Sequence, residues 1–228
     1  MLTKRQNVIE TMKGGNPDRF VNQYEAFQIV FHPYLASNPM PEPGGPEVVN
    51  LWGITSSWPA GFPGAFPVHT PDKIVIKDIT HWKDYVKKPK ATYSDAEWEA
   101  FQKQVEEIDR NEYFVLPFVA PGIFEMTHYL GEIQNTLMNF FEEPEAMKDL
   151  IKYLTEWEVE LAEDICKHIK PDGVFHHDDW GSQRSTFISP EMFEEFILPA
   201  YKDIYGCYKE NGADLIVHHS DSYAATLV

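Results

Sequence analysis

A chain of 228 residues can bury one sizeable core, and its 43% hydrophobic and 14% aromatic content excludes an intrinsically disordered protein. The formal net charge of −17, from 36 acidic against 19 basic residues, leaves no basic footprint and argues against nucleic acid or an anionic membrane as a partner. Two cysteines, Cys166 and Cys207, are too few for a disulfide framework or a Cys-rich zinc module.

In chain order, "MLTKRQNVIETMKGG" predicts an amphipathic helix over 4–13 rather than a secretory leader. No apolar run reaches the roughly 18 residues that a membrane span needs, so a cytoplasmic protein is expected. The aromatic and β-branched segment 19–31 predicts a strand ended by Pro33. Residues 36–71, rich in Pro and Gly, predict a packed loop of the kind that covers sites, with a brief strand near 47–54. Ser94 followed by Glu97 is a capping-box signature for the helix that runs on from it. "EYFVLPFVA" (112–120) predicts a buried strand, followed by helices over 121–141 and 144–169. Then come a strand at 172–179 and a helix over 189–212, capped by Ser189, kinked at Pro199 and ended by Gly212. A strand at 213–219 and the start of another helix at "SYAATLV" complete the order.

Strands alternating with long helices imply βαβ units around a parallel sheet. Four strands and a fifth near 47–54 fall short of the eight that close a (β/α)₈ barrel, so a single barrel-type domain, truncated after about five βα units, is expected. Ionisable residues cluster where such sheets build sites, at the C-terminal ends of two strands.

The first cluster is "DGVFHHDDWGSQ", Asp172 to Gln183. Strand alternation sends Val174, His176 and Asp178 one way and Phe175, His177 and Asp179 the other. A carboxylate at the strand end can accept a proton, hold a hydroxyl or orient a histidine. The alternative is that one Asp caps the next turn while the histidines pack against backbone. The second cluster is "HHSDS" (218–222), where His219 and Asp221 share parity and can bind a divalent metal through imidazole nitrogen and carboxylate oxygen. Further ligands would have to come from 176–179 or from outside this sequence. His128 and Tyr129 lie just beyond a strand and can reach the same mouth.

The block "DDWGSQ…SPEMFEEFILPAYKDIYGCYKENGADLIVHHSDS" resembles the uroporphyrinogen decarboxylase superfamily, which includes cobalamin-linked methyltransferases. "GGNPDRF" resembles the family's opening and "APGIFEMTHYLGE" its third-strand segment. The resemblance implies a (β/α)₈ barrel with an N-terminal helical extension. A true decarboxylase of this family binds a polycarboxylate with an Arg-rich first-strand segment, for which bidentate guanidinium groups are suited. Here residues 20–45 contain no Arg, and the whole chain has four: Arg5, Arg19, Arg110 and Arg184. Where the decarboxylase uses an Asp after its second strand, the nearest match is Asn50 in "VVNLWG". The methyltransferase branch binds zinc through His-x-Cys and a later Cys; here His219 matches the histidine and Asp221 stands in place of the first cysteine. An oxygen ligand makes the metal harder and disfavours a thiol acceptor.

The resemblance therefore points to a methyltransferase moving a methyl group between a corrinoid, free or carried by a corrinoid protein, and a small acceptor. Decarboxylation of a uroporphyrinogen-like substrate is the alternative, and a non-catalytic binding fragment a third. Asp178, Asp179 and His219 are the candidate catalytic residues, and Asn50, Tyr129 and Gln183 the candidate substrate contacts. His219 and Asp221 are the candidate ligands for zinc or another divalent metal. An incomplete barrel also leaves sheet edges that a homodimer would cover.

Overall fold

The computed structural model describes residues 1–227. The chain opens with α1 (Lys4–Met12), whose Thr3 and Gln6 form a reciprocal cap. It continues through a single turn α2 (Gln23–Ala26), strand β1 (Phe27–Val30) and the short α3 (Pro33–Ser37). The strand expected over 19–31 is thus only four residues long. Asn22 accepts from the Tyr24 amide while Glu25 accepts from the Asn22 amide, a capping box that starts a helical turn where propensity favoured a strand.

The Pro/Gly-rich segment folds as a small antiparallel sheet of β2 (Val48–Val49), β3 (Thr55–Ser57) and β4 (Phe66–Pro67). Trp52 anchors it in the core by stacking edge-on to Trp157 and donating to the Tyr34 hydroxyl at 3.0 Å. The brief strand near 47–54 belongs to this lobe and adds nothing to the main sheet.

A 3₁₀ segment (Ile79–Asp84) leads to α4 (Asp95–Glu106), where the Glu97 carboxylate accepts from both the amide and the hydroxyl of Ser94. Strand β5 (Phe114–Val119) follows, then α5 (Ile123–Gly131), α6 (Ile133–Glu142) and α7 (Pro144–Ile169). The single helix expected over 121–141 is broken at Glu132, whose φ of 68° interrupts the ladder and whose carboxylate caps α6 through the Asn135 amide. Strand β6 (Gly173–His177) leads to α8 (Pro190–Met192), one π-type turn (Phe193–Ile197), α9 (Leu198–Glu210) and β7 (Leu215–His219). The wide turn lies directly before Pro199, which has no N–H for the regular ladder, so the chain widens where a kink is expected. Beyond β7, residues 224–227 form a turn closed by the Leu227 amide on the Ala224 carbonyl, not the opening of a helix.

The main sheet is parallel throughout, in the order β1–β5–β6–β7. Val115, Val119 and Val174 face α7 and α9 in the large core, while Phe114, Leu116 and Phe175 form a second apolar cluster on the opposite face. Helix α1 sits across the N-terminal ends of the strands, where Arg5 pairs with Asp172 at 2.8 Å and lies over the Phe114 ring. Asp172, the first residue of the motif, is therefore at the opposite end of the sheet from the site. It also accepts from the Val115 amide at 2.8 Å and pairs with Arg110.

Immediately after β1, His32 is 1% exposed, with Nε2 on the Phe118 carbonyl at 2.9 Å and Nδ1 without a partner. Burial lowers its pKa from 6.5 to about 4. A histidine depressed in the folded state contributes stability that is complete above the unfolded pKa and is lost as pH falls through the folded one. Unfolding free energy is expected to drop by up to about 1.4 kcal/mol per pH unit through this interval from His32 alone. Urea titrations between pH 7 and 4 check this, and His32→Gln should flatten the slope; an unchanged slope would refute the assignment.

Candidate functional site

The parity expected for the motif is realised. His176 points to the helix layer, where Nε2 meets Glu158 Oε1 at 2.6 Å with both side chains buried. Burial disfavours the charged imidazolium, but the Glu158 carboxylate outweighs it and raises the His176 pKa. His177, the last residue of β6, points to the opposite face and stands in register with His219, the last residue of β7. Parallel pairing sets the two imidazoles side by side, with the Nδ1 atoms 2.9 Å apart. Only one proton, or one cation, fits between two such nitrogens.

Asp178 is completely buried and surrounded by donors. It accepts from the Phe124 and Glu125 amides at 2.9 and 2.8 Å, from Trp180 Nε1 at 2.9 Å and from the Tyr201 hydroxyl. Two of these are the free N–H groups of the first turn of α5, so Asp178 caps that helix from another element. Gly122 permits the approach, because a Cβ there would lie 2.4 Å from the Asp178 Cβ. The residue expected to be catalytic thus holds α5 in place and is sealed from any ligand.

The cap delivers Glu125 to the site. Its Oε1 accepts from the Tyr129 hydroxyl at 3.0 Å, one helical turn on, and its buried Oε2 has no hydrogen-bond partner and lies 3.5 Å from His177 Nε2. Burial first, then the neighbouring Asp178 and Asp179 charges, push the Glu125 carboxyl up to about 9. Burial raises Asp178 as well, but its four donors stabilise the carboxylate, so of this pair Glu125 holds the proton. Burial lowers the His177 pKa, with Asp179 opposing it. Burial raises the Tyr129 phenol and lowers His128 to about 4.

Asp179 is half-buried and accepts from the Ser220 hydroxyl at 2.9 Å and the Asp221 amide at 2.6 Å, tying the two strand ends together. The Asp221 carboxylate is 3.8 Å from His219 Nε2 and largely exposed. Of the residues singled out in the sequence, the fold brings together Tyr129, Asp179, His219 and Asp221. Asn50 forms the turn before β3, its Oδ1 accepting from the Trp52 and Ile54 amides. Gln183 is exposed on the turn between Ser182 and Ser185. Glu125 and the role of His177 were missed; a Glu in the first turn after a strand, four residues before a Tyr, was the available signal.

The donor chemistry fits a divalent metal of borderline or hard character. Ligand atoms of His177, His219 and Asp221 lie within 4.8 Å of one another, and no thiolate is at hand because Cys166 and Cys207 are buried in α7 and α9. Every ion pair of a Lys or Arg among the described residues is made elsewhere, so the only basic side chains paired with these carboxylates, among the described residues, are the imidazoles of His177 and His219.

A parallel α/β sheet with polar side chains converging at its C-terminal strand ends defines an α/β protein with a strand-end site. Residues 73–227 match the family described as Uroporphyrinogen decarboxylase (URO-D), and the chain belongs to it. Among solved structures it is similar to a methyltransferase from Methanosarcina mazei, with a TM-score of 0.60 at 12% identity, covering 100% of this chain and 72% of that one. No curated protein matches the sequence. Among the described residues, no helix is long and apolar enough to cross a membrane.

Proposed function

We propose that this chain is a methyltransferase of the family, moving a methyl group between a corrinoid, free or protein-bound, and a small acceptor with an oxygen or nitrogen nucleophile. The His177–His219 pair at adjacent strand ends, flanked by Asp221, carries the reading. His219 and Asp221, with Nδ1 of His177, would hold a divalent metal, zinc being one candidate. When bound, that metal would supply Lewis-acid polarisation of the acceptor. Tyr129, donating to Oε1 of the neutral Glu125, fixes the wall beside it, and the Glu125 carboxyl can offer its proton to an oxygen on the substrate. The likeness to a methyltransferase fold supports this reading.

Uroporphyrinogen decarboxylation is disfavoured by where the arginines are. Arg5 and Arg110 are committed to Asp172 beneath the sheet, and Arg19 pairs with Glu25. Arg184 is exposed on the turn after Trp180. None of the four pairs with the site carboxylates, and a polycarboxylate would meet Glu125, Asp179 and Asp221 instead of guanidinium groups.

The sheet is read as the first half of a (β/α)₈ barrel. The free edge of β7 is the place where further strands, or a second copy of this chain, would pair. A monomer with that edge free in sedimentation experiments would argue against the second copy.

The function is tested by incubating metal-replete protein with methylcobalamin and candidate hydroxyl and amine acceptors while following the cobalamin spectrum. Demethylation with at least one acceptor is expected, together with no CO₂ release from uroporphyrinogen. CO₂ release without demethylation would reverse the choice.

A further inference from the structure

His177 has two faces, and the metal reading above uses only Nδ1. Its Nε2 is turned toward α5, where Glu125 and Asp179 complete a second group. The ligand atoms of Glu125, His177 and Asp179 also lie within 4.8 Å of one another. Glu125 is 5% exposed, yet its Oε2 is buried without a hydrogen-bond partner and aimed at His177 Nε2. A buried carboxylate oxygen is costly to leave unsatisfied, and the nearest side-chain nitrogen, His177 Nε2, stands off at 3.5 Å. The remaining polar atoms are already fixed: Tyr129 holds Oε1 of Glu125, and Ser220 with the Asp221 amide holds Oδ1 of Asp179. Asp178 beside them adds a further carboxylate, and no Lys or Arg pairs with any of the three.

We propose that Glu125, His177 and Asp179 form an inner divalent-cation site, distinct from the outer position at His219 and Asp221. Its ligands are Glu125 Oε2, His177 Nε2 and a carboxylate oxygen of Asp179, and binding the cation displaces the proton that Glu125 otherwise holds. One nitrogen and two carboxylate oxygens suit zinc, manganese or iron(II) and leave open positions for water or an oxygen-bearing ligand. A neutral imidazole ligates through one nitrogen only, so occupancy of the inner position withdraws His177 from the outer one. The inference shares His177 with the proposed function but does not depend on methyl transfer.

The test is calorimetric titration of Zn²⁺ or Mn²⁺ into the EDTA-stripped full chain, with unchanged near-UV circular dichroism confirming the fold of each variant. Glu125→Gln keeps the shape of the side chain and Asp179→Asn keeps its size. Each is expected to weaken binding at the inner position by about tenfold or more, while His219→Ala removes only the outer position and leaves the inner binding event in place. Wild-type affinity in both carboxylate variants would overturn the inner site. So would a loss confined to His219→Ala, which would leave the outer reading standing. No binding by the wild-type chain would remove both positions, whatever the outcome of the methyl-transfer assay.

Discussion

An Asp178→Ala variant is expected to be about 3–5 kcal/mol less stable than the wild type, the range seen when one partner of a buried charged network is removed. The substitution leaves the Phe124 and Glu125 amides, Trp180 Nε1 and the Tyr201 hydroxyl without their shared acceptor in a site closed to water. The loss also falls on the site, because the same two amides begin α5, which carries Glu125 and Tyr129. Asp178→Asn retains one acceptor oxygen but turns an amide N–H₂ toward donors, so an intermediate loss is expected. Urea unfolding measures both. A loss below about 1 kcal/mol for the alanine variant would mean that Asp178 is not the anchor of α5.

His219→Ala should behave in the opposite way. Its side chain is half-buried on β7, at the free edge of the sheet, and touches His177 and the Phe175 ring. Little stability is at stake, whereas the outer ligand set loses its imidazole. Methyl transfer is expected to fall by about a hundredfold or more with the melting temperature nearly unchanged, since ligand loss exceeds the effect of losing a supporting contact. Chelation of wild-type protein should give the same loss, and restoring the metal should rescue only the wild type. Full activity in His219→Ala would remove the outer metal from the proposed mechanism.

The order of elements was legible because periodicity and caps are local. The Ser94–Glu97 box starts α4, Pro144 opens α7, and the apolar runs at 114–119 and 173–177 are strands. Misreadings fell where another local signal outweighed propensity. Asn22 and Glu25 turned an expected strand into a helical turn, and the left-handed backbone at Glu132 divided an expected helix. Alternation along β6 sorted its histidines correctly into two faces, since the period of a strand needs no tertiary information.

Which face was the site, however, depended on what packed against each. Sequence alone determined the parallel α/β class, the strand ends as the candidate place for chemistry, the lack of Arg over residues 20–45, and the candidates His219 and Asp221. The tertiary structure decided the roles. It buried His176 against Glu158 and spent Asp178 on capping a helix far away in the chain. It paired His177 with His219 through strand register and brought Glu125 beside them. Those contacts join residues 18 to 54 positions apart, and spacing along the chain carries no record of which helix start a buried carboxylate will find.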